Sequence, residues 1–358
     1  MTSRDRVLAA FAHANVDRVP INYATNAGID GRLKSALGIA ADDDEALRLA
    51  LGVDFRGVGP GDRGGKRFAD IPGRVIWQDT GIRTRWIENA SGGYWDFCDF
   101  PLQDATLDQI EAWPLAKTDD YDYQTLKAQA LRYQGFAIYY GHPGLGDIIN
   151  STGMLRTMEQ VLMDLASDDE AGIRLIDRKL ELQLNIMRRS LEQLDGLVDF
   201  VWMGEDLGTQ IAPLISLELY RKHLRPRHQR IIDLARSFNL PVMVHTCGSS
   251  SWVYDDFIEM GVKAVDTLQP EATNMSPAYL KQRFGRQLMF HGCISTAGAV
   301  AYGTPADVQK TVRETLDIMM PGGGYCLSPT HQLQDNSPVE NVIAMYQAAH
   351  QYGATVRA

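Results

Sequence analysis

Along the second half of the chain, apolar and polar positions follow two rhythms in turn. Short, mostly apolar runs end in polar tips and suit strands buried on both faces. Between them, apolar residues recur three and four apart, the spacing of helices packed on one side. The strands read this way are 136–141 (FAIYYG), 198–203, 240–244 (LPVMV), 264–268, 288–290 and 325–327. The helices are 123–133, 154–165, 169–194, 217–238, 252–260, 277–284, 305–320 and 338–352. Pro226, inside the fourth of these, is expected to kink or break it.

The first half is less regular. Ser3 can cap a helix over 3–14 that carries Val7, Leu8 and Phe11 on one side. A short strand is expected at 21–23, and helices at 30–37 and 42–51 with Gly38 and Gly52 as stops. Residues 57–65 hold too many glycines for a strand or helix and read as a loop; they lack the Gly-Lys-Ser/Thr ending of a phosphate loop. From 74 to 100 the period becomes two, which predicts antiparallel hairpins with turns at Thr80-Gly81 and Ser91–Gly93. Trp77, Trp86, Tyr94 and Trp95 on this insertion read as packing residues, with the lining of a pocket as the alternative.

Strand and helix alternate at roughly thirty residues per unit, which implies right-handed crossovers and a parallel sheet. No Gly-x-Gly-x-x-Gly opens a helix, so a dinucleotide fold is disfavoured. Polar residues gather where successive strands end: Glu205 and Asp206, His245 and Cys247, Asp266 and Gln269, His291 and Cys293, then His331. A barrel builds its site from such strand tips. The expected class is therefore α/β, a (β/α)8 TIM-type barrel forming one domain over 1–358, with an N-terminal segment and a β-hairpin insertion at about 74–100.

Composition narrows the function. The 358 residues are 45% hydrophobic, ample for one large core. A net charge of −10 with no basic stripe argues against nucleic acid as a partner. No run of eighteen apolar residues is present, so no membrane span is expected, and the charged start does not read as a secretory signal. Cys98, Cys247, Cys293 and Cys326 are widely spaced, which suits free thiols in a reducing cytoplasm.

His245 and Cys247 lie two apart at a strand tip, so their side chains leave the same side. An imidazole and a thiolate so placed can hold one borderline-soft ion, zinc best of all. By themselves the two fit a buried cysteine beside a hydrogen-bonded histidine at least as well.

Three motifs shift that balance: Gly204-Glu205-Asp206-Leu207-Gly208-Thr209-Gln210, His245-Thr246-Cys247-Gly248, and residues 322–341, GGGYCLSPTHQLQDNSPVEN. With Arg6-Val7-Leu8 and Asp17-Arg18-Val19-Pro20, they make the chain resemble the uroporphyrinogen decarboxylase-like superfamily, most closely its cobalamin-dependent (corrinoid) methyltransferase branch. The resemblance covers nearly the whole chain and is weakest over 57–104. It implies a TIM-type barrel with its site at the carboxyl end. The decarboxylase's own Arg-rich segment is missing: the corresponding stretch reads PINYATNAGIDGRLK, which argues against a porphyrinogen substrate.

The methyltransferase branch holds zinc through His-x-Cys and a cysteine near the last strand. His245 and Cys247 match the first two positions. The third follows Ser-Pro-Gly in the family; here Ser328-Pro329-Thr330 leads to His331, with Cys326 as the alternative ligand. The resemblance thus implies a zinc-dependent methyltransferase moving a methyl group between a small O-, N- or S-methylated substrate and a corrinoid on a partner protein, as in demethylation. Glu205 is expected as a fourth ligand or general acid, or equally as a salt-bridged or helix-capping carboxylate, Asp206 as a structural residue, and Gln269, His291, Cys293 and Gln332 as substrate contacts. Barrels of this kind often pair, which makes a homodimer a further expectation. The competing readings are a metal-free carboxy-lyase of the decarboxylase type and a non-catalytic binding barrel.

Overall fold

The structure is a computed structural model and describes residues 1–89 and 92–354. Its centre is a seven-stranded parallel sheet in which each strand pairs with the next in sequence. The strands are β1 (Phe55–Val58), β2 (Ala137–Gly141), β3 (Phe200–Gly204), β4 (Val242–His245), β5 (Ala264–Thr267), β6 (Met289–Ile294) and β7 (Tyr325–Pro329). The segment predicted as strand 21–23 is an isolated parallel bridge from Ile21 to Leu327. Its backbone bonds to β7 through Asn22 N to Leu327 O (2.9 Å) and Leu327 N to Pro20 O (2.8 Å). On the other side Asp54, just before β1, donates to Ile21 O at 2.8 Å. The short segment therefore touches both edge strands of the sheet.

Parity along each strand decides which side chains meet. Phe55, Ala137, Phe200, Trp202, Met243, Ala264, Met289 and Cys326 gather with Val7 and Ala10 in one buried cluster. The alternate residues, among them Ile138, Val201, Met203, Val244, Val265, Phe290 and Leu327, join the larger cluster beneath the helices. Side chains two apart share a face, so the first set marks the inner face, with helix α1 (Ser3–Phe11) set against it.

Several boundaries differ from the sequence reading. β1 runs two residues into the stretch read as loop, because Gly57 fits a strand where Tyr139 of β2 packs across it: a Cβ there would lie 2.9 Å from the Tyr139 ring. β6 continues four residues past the predicted 288–290, which brings His291 into the strand itself. The long helix does break at Pro226: a π-helical turn (Tyr220–Leu224) precedes α-helix Arg225–Ser237, and the proline sits in its first turn, where no N–H is needed. The predicted helix 154–165 is two helices, Ile149–Arg156 and Met158–Ser167, parted at Thr157 with φ 66°. Strands Arg83–Asn89 and Gly92–Phe97 pair antiparallel as expected for the insertion; Ser91 of the predicted second turn lies outside the described residues. Among the described residues, no helix is long and apolar enough to cross a membrane.

Candidate metal centre

Above the inner apolar cluster the same parity yields a polar layer. Met243 is followed on its face by His245 and then Cys247, Ala264 by Asp266, and Met289 by His291. Asp266 stands between two imidazoles: Oδ2 is 2.6 Å from His245 Nδ1 and Oδ1 is 2.5 Å from His291 Nδ1. His291 Nε2 meets Asn22 Nδ2 at 3.0 Å, so His291 is spent on both sides and 1% exposed. Thr267 Oγ1 also lies 2.7 Å from His245 Nδ1. These partners tie Nδ1 of His245 and leave Nε2 pointing onward, with Cys247 Sγ 3.4 Å away.

His331, in left-handed backbone (φ 59°) just beyond β7, completes a triangle. One donor atom each from His245, Cys247 and His331 lies within 4.8 Å of the others. In a tetrahedral zinc site, N and S ligands at about 2.0 and 2.3 Å from the ion stand about 3.6 Å apart, so the spacing fits one shared cation. The second partner of His245 is the carboxylate that metal-binding histidines characteristically have.

Electrostatics points the same way. Burial alone would lower the His245 pKa, yet the bond to Asp266 and the charges of Asp266, Asp206 and Asp147 hold it above the ordinary value. Asp266 is held below the carboxylate range despite its burial, because of both histidines. Burial, then Asp206, pushes the Cys247 thiol up, so it keeps its proton unless a cation arrives. Burial and the neighbouring His245 lower His331. Carboxylates thus surround two imidazoles and a thiol, an array that a divalent cation would neutralise.

The other expected site residues are scattered. Glu205 follows β3 on the outer parity and is 1% exposed. Its oxygens accept from Ile148 N (2.7 Å) and Ile149 N (3.1 Å), at the start of helix Ile149–Arg156, and His228 Nε2 is 3.3 Å away. That is a buried helix-capping role, away from the donor triangle. Asp206, read as structural, is the residue on the inner parity. Its Oδ1 accepts from Cys247 N (2.9 Å) and lies 3.8 Å from His245 Nε2; Oδ2 accepts from Asn150 Nδ2 (2.9 Å). The alternation 200, 202, 204, 206 carried this signal. Cys326 sits in the inner apolar cluster, 3.8 Å from Met289 Sδ, and is not part of the donor group. Cys293 shares parity with His291, but left-handed backbone at Gly292 (φ 123°) and Cys293 (φ 69°) turns it into the outer core. Gln269 Oε1 accepts from Gly248 N at 2.5 Å and so braces the loop carrying Cys247. Gln332 is exposed beside His331.

A family model described as Uroporphyrinogen decarboxylase (URO-D) matches residues 150–352. The chain belongs to the uroporphyrinogen decarboxylase family. The match takes in every donor of the triangle and both Glu205 and Asp206. No curated protein matches this URO-D family chain. Among solved structures it is similar in fold to a methyltransferase from Methanosarcina mazei, with a TM-score of 0.64 at 15% identity, covering 98% of this chain and 99% of the other.

Proposed function

We propose that this URO-D family member is a zinc-dependent methyltransferase that moves a methyl group between a small methylated compound and a corrinoid carried by a partner protein. The observation that carries the reading is the His245–Cys247–His331 triangle, with Asp266 fixing the free nitrogen of His245. The fold it shares with a methyltransferase supports the reaction class. We read the sheet as a barrel closed by the Ile21 segment, with the triangle at its carboxyl end.

His245 Nε2, Cys247 Sγ and a His331 ring nitrogen would hold the ion, and zinc supplies Lewis-acid polarisation of the substrate heteroatom. Asp266 keeps the proton on His245 Nδ1, so Nε2 remains a lone-pair donor. Asp206 clamps the Cys247 backbone and, at 31% side-chain exposure, is the acidic group on the open side. It is placed to take a proton from an incoming acceptor or to return one to a leaving heteroatom. Glu205, behind the strand, caps the helix that carries Asn150 and so positions it.

The test is metal content and turnover together. Purified protein should carry one zinc per chain, lost in His245→Ala and Cys247→Ala. It should methylate free cob(I)alamin from some member of a panel of O-, N- and S-methyl compounds, followed by absorbance. Metal-free folded protein, or methyl transfer that survives His245→Ala, would sink the reading.

A further inference from the structure

A cavity of about 460 Å³ opens where β1 and β2 end, roofed by the hairpin insertion. It shares no wall residue with the donor triangle. Its apolar wall includes Val58, Ile82, Leu145 and Leu182, and Trp77, Tyr121 and Tyr140 add flat aromatic surface. Trp77 is thus a wall residue as well as a packing one. The volume is in the range of small-molecule sites.

One feature of this wall is costly and unexplained by packing. Lys179, on helix Glu170–Leu194, is 8% exposed. Its Nζ bonds to Ser151 Oγ (2.8 Å) and Thr152 Oγ1 (3.2 Å), both neutral. An ammonium has three donors, and among the described residues no carboxylate comes within 4.0 Å of this one. Burial lowers its pKa, opposed by the more distant charges of Asp147, Glu205 and Asp79. A buried cation without a contacting anion, lining a cavity, marks a place for one.

We propose that this cavity binds a small aromatic monocarboxylate, with the carboxylate on Lys179 and the ring between Trp77, Tyr121 and Tyr140. A single cation suits one negative charge. Asp79 and Asp147 also line the wall; burial pushes the Asp147 carboxyl pKa well above the usual range, which favours its neutral form beside a bound anion. Asp147 Oδ1 accepts from Asn150 N (2.9 Å), Asn150 Nδ2 donates to Asp206 (2.9 Å), and Asp206 accepts from Cys247 N (2.9 Å), which puts the cavity one chain of hydrogen bonds from the donor triangle. The ligand's role as the methyl-bearing substrate rests on the reading above; its binding does not.

Calorimetry on the full chain tests this with three rings: 4-methoxybenzoate, methoxybenzene and 4-methoxyphenyltrimethylammonium. The carboxylate should bind about tenfold tighter than the neutral ring or better, and Lys179→Met should erase that preference. Trp77→Ala, at a half-exposed roof position, should weaken 4-methoxybenzoate by about tenfold while the fold is kept, and covers the case in which Lys179→Met does not fold. Equal affinity for the carboxylate and the neutral ring, preference for the cation, or unchanged binding in Trp77→Ala would each overturn the proposal. The same titration on His245→Ala separates the two ideas. Retained binding without zinc supports the cavity whatever becomes of the metal, and lost binding in a folded variant refutes an independent anion site.

Discussion

At the scale of single residues, the sequence shows which groups are present but not which nitrogen is free. His245 and Cys247 were legible from their spacing, because a strand turns every second side chain the same way. His331 was legible only through the resemblance. What could not be read was Asp266 lying between two histidines, since that contact joins three strands. Asp266 fixes the His245 tautomer, and partners of this kind typically change metal affinity by about 10–100-fold. Asp266→Asn should therefore weaken zinc binding by about that factor, measured by competition with a chromophoric chelator. Affinity equal to the unmodified protein's would show that Asp266 serves only to hold His291 in place.

At the scale of elements, the alternation of strand and helix was readable from pattern alone, and local backbone departures were not. Cys293 leaves the site because φ turns positive at Gly292 and Cys293, a local backbone departure that no hydrophobic pattern records. Glu205 leaves it through parity, which the sequence does contain. Its burial has a measurable consequence. The folded-state pKa is pushed up to about 8 from an ordinary 4.5, first by desolvation. Between these values the unfolded chain has lost a proton that the native state keeps, so stability falls as pH rises. His228, lowered to about 4 by burial, has the opposite slope below its ordinary 6.5. Above pH 6.5 the His228 slope is gone, and over pH 6.5–8 comparison with Glu205→Gln cancels groups common to both proteins, His245 and Asp147 among them. There the unmodified protein should lose up to about 1.4 kcal/mol per pH unit relative to Glu205→Gln. The glutamine can accept only one of the two backbone N–H groups, which shifts its curve by a constant and leaves the slope as the readout. Parallel urea midpoints for the two proteins across that window would mean that Glu205 is ionised in the native state.

At the scale of the whole molecule, the residues near the start that carry the family resemblance prove to brace the sheet. Arg6 and Arg18 converge on Asp54, which is fully buried just before β1, and Asp17 pairs with Arg6 from the outer side. Asp54 accepts from Arg6 Nη1 (2.8 Å), from Arg18 Nη1 and Nη2 (2.7 and 2.9 Å) and from Ile21 N (2.8 Å). Its own N–H returns to Ile21 O, and its carbonyl accepts from Ala137 N of β2. One carboxylate therefore links α1, the segment between the sheet edges, and the first strand. The sequence displayed all four residues but not their meeting, because the contacts span up to 48 positions. Removing Asp54 leaves two guanidinium groups short of their shared anion, and Arg6 is itself buried. Breaking a buried pair from one side costs about 3–5 kcal/mol, so Asp54→Ala should lose that much in urea denaturation. Asp17 pairs with Arg6 at 2.6 Å but is 43% exposed, and water screens it. Asp17→Ala should cost about 1 kcal/mol or less. If the two variants proved equally stable, Asp54 would not be the joint between α1, the Ile21 segment and the first strand, and the Ile21 backbone bonds alone would hold that segment to the sheet.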